Sequence, residues 1–149
     1  MKSFPILLFV FISVQLFSQE HLNLKKGYAA EGYDVVAYFS NTAIEGDKAF
    51  EAIYKDVKYK FSSQKNLTEF NTNPEMYVPQ YGGFCAYAIA EKGDKVGINP
   101  KAFQIMDNKL YLFYNAWGIN TLDKWNEKGA GTLQEKADVN WKTIVKKKS

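Results

Sequence analysis

Arginine is missing from this chain, and cysteine and histidine occur once each, as Cys85 and His21. Without Arg there is no planar fork to grip phosphate or carboxylate at two points, and most readout of base edges goes with it. All nineteen basic residues are Lys; against sixteen acids they leave a net charge of +3, too mild for a dedicated nucleic-acid surface. One Cys forms no internal disulfide, and one Cys with one His excludes a closed zinc site of four cysteines, or of two cysteines and two histidines, within one chain. A lone His near the chain start also fails to assemble a Ser-His-Asp or Cys-His pair, so no classical catalysis is expected. Gly82-Gly83 lacks the Lys and Ser/Thr that a phosphate loop needs in order. No internal repeat, low-complexity tract or linker rich in Pro, Gly or Ser is present. What remains is 149 residues, 46% hydrophobic and 16% aromatic, enough for one domain with a true core.

Residues 1–19 read as a signal peptide rather than as part of the fold. Lys2 gives a small positive start, Phe4 to Phe17 is apolar apart from Ser13 and Gln15, and polarity changes abruptly at Gln19-Glu20. As a helix the apolar run would span about 21 Å, short of a hydrocarbon core of roughly 30 Å, so no stable membrane anchor is expected after cleavage. The mature domain, residues 20–149, is then exported, periplasmic or secreted, with an unpaired cysteine in an oxidising compartment.

The pattern predicts a small α+β domain with two β-hairpins, a short helix between them and a C-terminal helical pair. Gly32 to Phe39 reads as a strand-like segment. Phe50 to Tyr54 and Val57 to Ser62 flank a Lys55-Asp56 turn, with Val57, Tyr59 and Phe61 alternating against polar neighbours. Ser63 caps a helix carrying Leu67 and Phe70, which Asn73-Pro74 ends. Ala102 to Met106 and Lys109 to Tyr114 flank the turn Asp107-Asn108. The tail is helical from Asn120 to Lys128 and again from Thr132. There Thr132 and Glu135 make a capping box, and Leu133, Ala137, Trp141, Ile144 and Val145 form one apolar stripe.

The most distinctive stretch is 74–90, PEMYVPQYGGFCAYAIA. Its glycine pair allows positive φ or close backbone approach, and Cys85 follows directly. If Ala86 to Ala90 is helical, Cys85 lies in the first turn, where free N–H groups favour a thiolate; otherwise it packs among Phe84, Tyr87 and Ile89. Asp34, inside an apolar segment, needs a partner if buried, and either fixes a backbone turn or joins Tyr33, Tyr59 and Tyr81 as the charged member of a pocket.

Taken together, GYDVVAYF (Gly32–Phe39), the run Tyr54–Ala90, the Asn99-Pro100 step, KLYLFYN (Lys109–Asn115) and ADVNW (Ala137–Trp141) make the chain resemble the exported, single-cysteine branch of the YHS-domain family. That resemblance implies heavy-metal handling, chiefly of copper. Metal-binding relatives place cysteines near Ser62 and Asn66 and near Gly32-Tyr33-Asp34, and this chain has none there. Some members of the branch are described as selenoproteins, which implies thiol or selenol chemistry. The resulting expectation is a soft-ion module, a copper ion favoured, anchored by Cys85 with Met76, Met106 or the tail residue His21 as partners. Its partner would be a metal-handling or thiol-exchange protein. The alternatives are a single-thiol redox protein and a non-enzymatic module for a small molecule or protein partner.

Overall fold

Three tight turns of one type organise the β structure. The computed structural model describes residues 19–147; all but Gln19 of the expected leader lies outside them. β1 (Asp47–Tyr54) and β2 (Val57–Phe61) pair antiparallel around Lys55 and Asp56, whose φ angles are 49° and 64°. β3 (Asn99–Met106) and β4 (Lys109–Phe113) do the same around Asp107 and Asn108, at 52° and 57°. Two consecutive left-handed residues make the turn whose twist matches the strands it joins. A third hairpin, β5 (Asn115–Ala116) with β6 (Ile119–Asn120), turns on Trp117 and Gly118 at 53° and 74°. Two hairpins are expected from sequence and three are found among the described residues, because strands of two residues show no alternation to read.

Among the described residues the helices also outnumber expectation. α1 (Gln64–Thr72) starts where the sequence places it, with the Asn66 N–H donating to Ser63 Oγ at 3.1 Å. Pro74 opens α2 (Pro74–Tyr77), and α3 (Ala86–Lys92) stops at Gly93 in the left-handed conformation. Three helices therefore lie between the two expected hairpins, where one short helix is expected from Ser63 to Asn73 and Ala86 to Ala90 is left open. α4 (Thr121–Lys128) is capped by Asn120, whose Oδ1 accepts from the Leu122 N–H. α5 (Ala130–Lys146) begins immediately behind Gly129, two residues before the expected capping box, because Gly129 at φ 101° redirects the chain by itself and leaves Thr132 inside the first turn.

Gly32 to Phe39 is not a strand. It runs from a turn at Ala29–Gly32, where Ala30 and Glu31 are left-handed at φ 49° and 54°, to a 3₁₀ turn at Ala37–Ser40, with Asp34 between them. The Asp34 carboxylate takes the N–H groups of Val36 and Ala37, at 2.9 and 3.1 Å, which a ladder would have used.

These elements form one small α+β domain of three two-stranded sheets and packed helices. β4 is the wall between its two cores. Successive strand residues point to opposite faces, so Leu110 and Leu112 enter one core with Val35, Tyr38, Phe61 and Phe70, while Tyr111 and Phe113 enter the other with Ile89, Trp125 and Leu133. A strand buried on both faces reads as a continuous apolar run, as LYLF does. No described helix is long and apolar enough to cross a membrane.

Candidate functional site

Cys85 sits directly before α3, and its side chain is fully buried. Its N–H donates to the Val96 carbonyl at 2.9 Å, and its Sγ lies 3.3 Å from Thr121 Oγ1. The single hydroxyl proton of Thr121 goes to the Tyr114 carbonyl at 2.7 Å, which leaves the Cys85 S–H as donor to Thr121. The expected copper site is overturned: among the described residues no group of three or more His, Cys, Asp or Glu side chains could hold a metal ion. Met76 lies at the surface on α2, Met106 packs against the second core at the end of β3, and His21 borders a groove. The polar neighbour of the thiol is Thr121 and none of these. The redox alternative and the metal-handling or thiol-exchange partner fall with it, since a sulfur closed off from solvent offers neither a ligand nor an exchange nucleophile. Cys85 is therefore expected to resist alkylation at neutral pH until the protein is unfolded, and Cys85→Ala to cost about 1–2 kcal/mol as a core truncation. Native-state labelling at the rate of a free thiol would contradict this placement.

Asp34 is buried completely, and every donor that reaches it is neutral. Oδ1 accepts from the N–H groups of Val36 and Ala37; Oδ2 accepts from the Ser62 N–H at 2.8 Å, the Ser62 hydroxyl at 2.7 Å and Asn66 Nδ2 at 2.8 Å. Ser62 and Asn66 are the positions near which the resemblance places metal-binding cysteines. Here both engage a carboxylate that ties residues 34–37 to the start of α1. Asp34 is thus a tie between segments and not the charged member of a pocket. Tyr33 is likewise elsewhere, half-buried against the first core and bridged to Glu45.

The remaining two candidates, Tyr59 and Tyr81, reach one groove of about 870 Å³. One wall is α5, whose Asp138, Trp141, Lys142 and Val145 recur at i, i+3, i+4 and i+7 and so share a face. The opposite wall is the first hairpin with α2. There the Tyr54 hydroxyl donates to Glu75 Oε1, and Lys55 Nζ donates to the same oxygen at 2.7 Å. The Lys55 contact, then the Tyr54 contact, hold the Glu75 carboxyl below its ordinary range. Between the walls, the Tyr81 hydroxyl donates to Asp138 Oδ1 at 2.8 Å, and its ring stands 6.2 Å from that of Trp141. Lys109 and Lys142 also line the groove, and among the described residues neither has a carboxylate within 4.0 Å.

Tyr81 is held in a strained conformation at φ 57°, an arrangement that costs about 1–2 kcal/mol for a residue with a side chain. The backbone around it is pinned. Asn23 donates from its N–H to the Gly82 carbonyl at 2.8 Å and from Nδ2 to the Gly83 carbonyl at 3.0 Å. His21, expected in a loose tail, is instead stacked edge-on against Trp141 at 6.1 Å. The segment 21–23 is therefore a strap across the glycine pair, placing an imidazole at the groove rim.

Burial first, then the bond to Asp138, pushes the Tyr81 phenol well above its ordinary pKa. A raised phenol pKa contributes stability that is complete below about pH 10 and is lost as pH rises toward the folded value. Tyr81→Phe is expected to cost about 1 kcal/mol at neutral pH, for the lost hydrogen bond. Above pH 10 the same variant should lose stability less steeply than the parent, by about 1.4 kcal/mol per pH unit. Denaturant titrations of both proteins from pH 8 to 11 check this, and parallel pH profiles would contradict it.

Tyr59 and Tyr81 were legible as pocket residues, whereas Trp141, Asp138 and Lys142 were not. Trp141 counts naturally toward the apolar stripe of α5; the signal for a second face was the acid and the Lys at helical spacing around it. Glu75 meets Tyr54 and Lys55 only through the packing of α2 on the hairpin turn, which nothing local announces. No family model, curated protein or solved structure matches the chain, so the YHS resemblance gains no support beyond the motifs that suggest it.

Proposed function

We propose that the protein is a non-catalytic binding module whose groove takes a small organic molecule with a planar, apolar body. The observation that carries this reading is the groove itself. At about 870 Å³ it lies within the range of small-molecule sites, and it presents aromatic rings together with a few converging polar groups. Half-buried Trp141 offers flat apolar surface, while Tyr59 and Tyr81, 3% and 4% exposed, show the groove little of their rings; the Tyr81 hydroxyl, already donating to Asp138, keeps a lone pair to accept a hydrogen bond. The strain at Tyr81 supports the same reading, because backbone outliers that persist under tight packing cluster at binding sites. Both groove carboxylates are engaged, Glu75 by Lys55 and Tyr54 and Asp138 by Tyr81, which suits a binding surface better than a free general base.

Backbone amide NMR with the neutral aromatic probe 1-naphthamide tests it. Saturable shifts are expected at Tyr81, Gly82, Trp141 and Lys142. Shifts confined to another region, such as the exposed turn at Trp117, or none up to the solubility of the probe, would overturn it.

A further inference from the structure

We infer that the natural ligand of the groove is an organic anion, its acidic group met by Lys109 and Lys142 while its apolar body lies against Trp141. This rests on the groove being a ligand site at all. The groove is lined by three lysines and two carboxylates. Lys55 is paired with Glu75 at 2.7 Å, while Asp138 accepts from the neutral Tyr81 hydroxyl at 2.8 Å and keeps its charge. Lys109 and Lys142 are left, with no carboxylate within 4.0 Å among the described residues.

Their placement follows from the fold. Lys109 is the first residue of β4, directly behind the tight turn at Asp107-Asn108, so its backbone is fixed by pairing with Met106. Lys142 is next to Trp141 on the groove face of α5, four residues beyond Asp138. A flat apolar surface with unspent ammonium groups at its margin complements a molecule with an apolar body and one acidic end. It disfavours a cation, because the three lysines of the lining outnumber its two carboxylates, Glu75 and Asp138. Lysine meets an acidic group as a compact point charge, with no demand for two-point geometry. A carboxylate is the simplest such group; a sulfonate or phosphate monoester carries the same chemistry.

Matched probes on the full chain test this. The set is 1-naphthoate, its neutral isostere 1-naphthamide and the cation 1-naphthylmethylammonium, titrated by amide NMR at low ionic strength. The expected result is about ten-fold tighter binding of the naphthoate than of the naphthamide, with the ammonium weakest and the preference shrinking as salt is added. In the double variant K109Q/K142Q the naphthoate should bind no more tightly than the naphthamide does to the same variant. The dispersion of its amide spectrum away from the groove shows that the variant is folded. Equal binding of all three probes, or an anion preference surviving in the double variant, would overturn the inference and leave the groove reading standing. Failure of every probe to shift groove residues would remove both. So would concentration-dependent dimerisation that displaces the probes, since it would make a second copy of the chain the occupant.

Discussion

Asp34→Ala is expected to lower the folding free energy by about 4 kcal/mol, a large share of the 5–15 kcal/mol typical of a domain this size. Five donors converge on that carboxylate: the N–H groups of Val36, Ala37 and Ser62, the Ser62 hydroxyl and the Asn66 amide. The side chain is wholly buried, so removing it leaves those donors facing one another around a void. Each stranded buried donor costs about 1–3 kcal/mol, partly offset where water enters or Ser62 and Asn66 turn outward. Asp34→Asn keeps the shape but places an amide NH₂ where an oxygen now accepts, and should cost less, about 2–3 kcal/mol. Ser62→Ala, which removes the hydroxyl donor and keeps the backbone one, should cost about 1 kcal/mol. Urea unfolding of the three variants checks the order Asp34→Ala, Asp34→Asn, Ser62→Ala. A value for Asp34→Ala within 1 kcal/mol of the parent would show that the carboxylate does not hold these segments together.

Gly82→Ala should lose about 3 kcal/mol or more and lower the midpoint of thermal unfolding by roughly 10 °C. Two costs coincide at this position. At φ 61° an added side chain is strained whatever space surrounds it, for about 1 kcal/mol. In addition, a Cβ there would lie 1.9 Å from the His21 carbonyl oxygen and 3.0 Å from its carbon, contacts that only backbone movement relieves. The movement pushes off the strap at residues 21–23 and releases the Asn23 bonds to Gly82 and Gly83. Gly83→Ala separates the two costs. Its φ is 82°, yet its nearest neighbours are 3.8 Å away, so it should show the conformational cost alone. Equal losses in the two variants would mean that the strap gives way freely.

The parts of the fold written in short-range chemistry were readable before the structure. Lys55-Asp56 and Asp107-Asn108 mark turns because Asp and Asn tolerate the left-handed region; Ser63 marks a helix start because its hydroxyl meets the Asn66 N–H. Gly32–Phe39 has strand composition, yet its backbone donors are claimed by Asp34, whose other partners, Ser62 and Asn66, lie about thirty residues on. That competition is invisible to a local window. Cys85 stands out because it is alone in the sequence, but its 0% exposure, against the Val96 carbonyl and Thr121 at the start of α4, is a tertiary fact. The groove was half-legible for a similar reason. Tyr59 and Tyr81 carry local signals of burial, while the wall that faces them comes from α5 at the far end of the chain.

The most direct test of the groove as the functional site compares two single variants in one titration. Affinity for 1-naphthoate should fall about ten-fold or more in Trp141→Ala, which removes the aromatic wall, and stay within about two-fold of the parent in Cys85→Ala, whose sulfur lies in the core. Unchanged binding in Trp141→Ala, or its loss in a folded Cys85→Ala, would contradict the account.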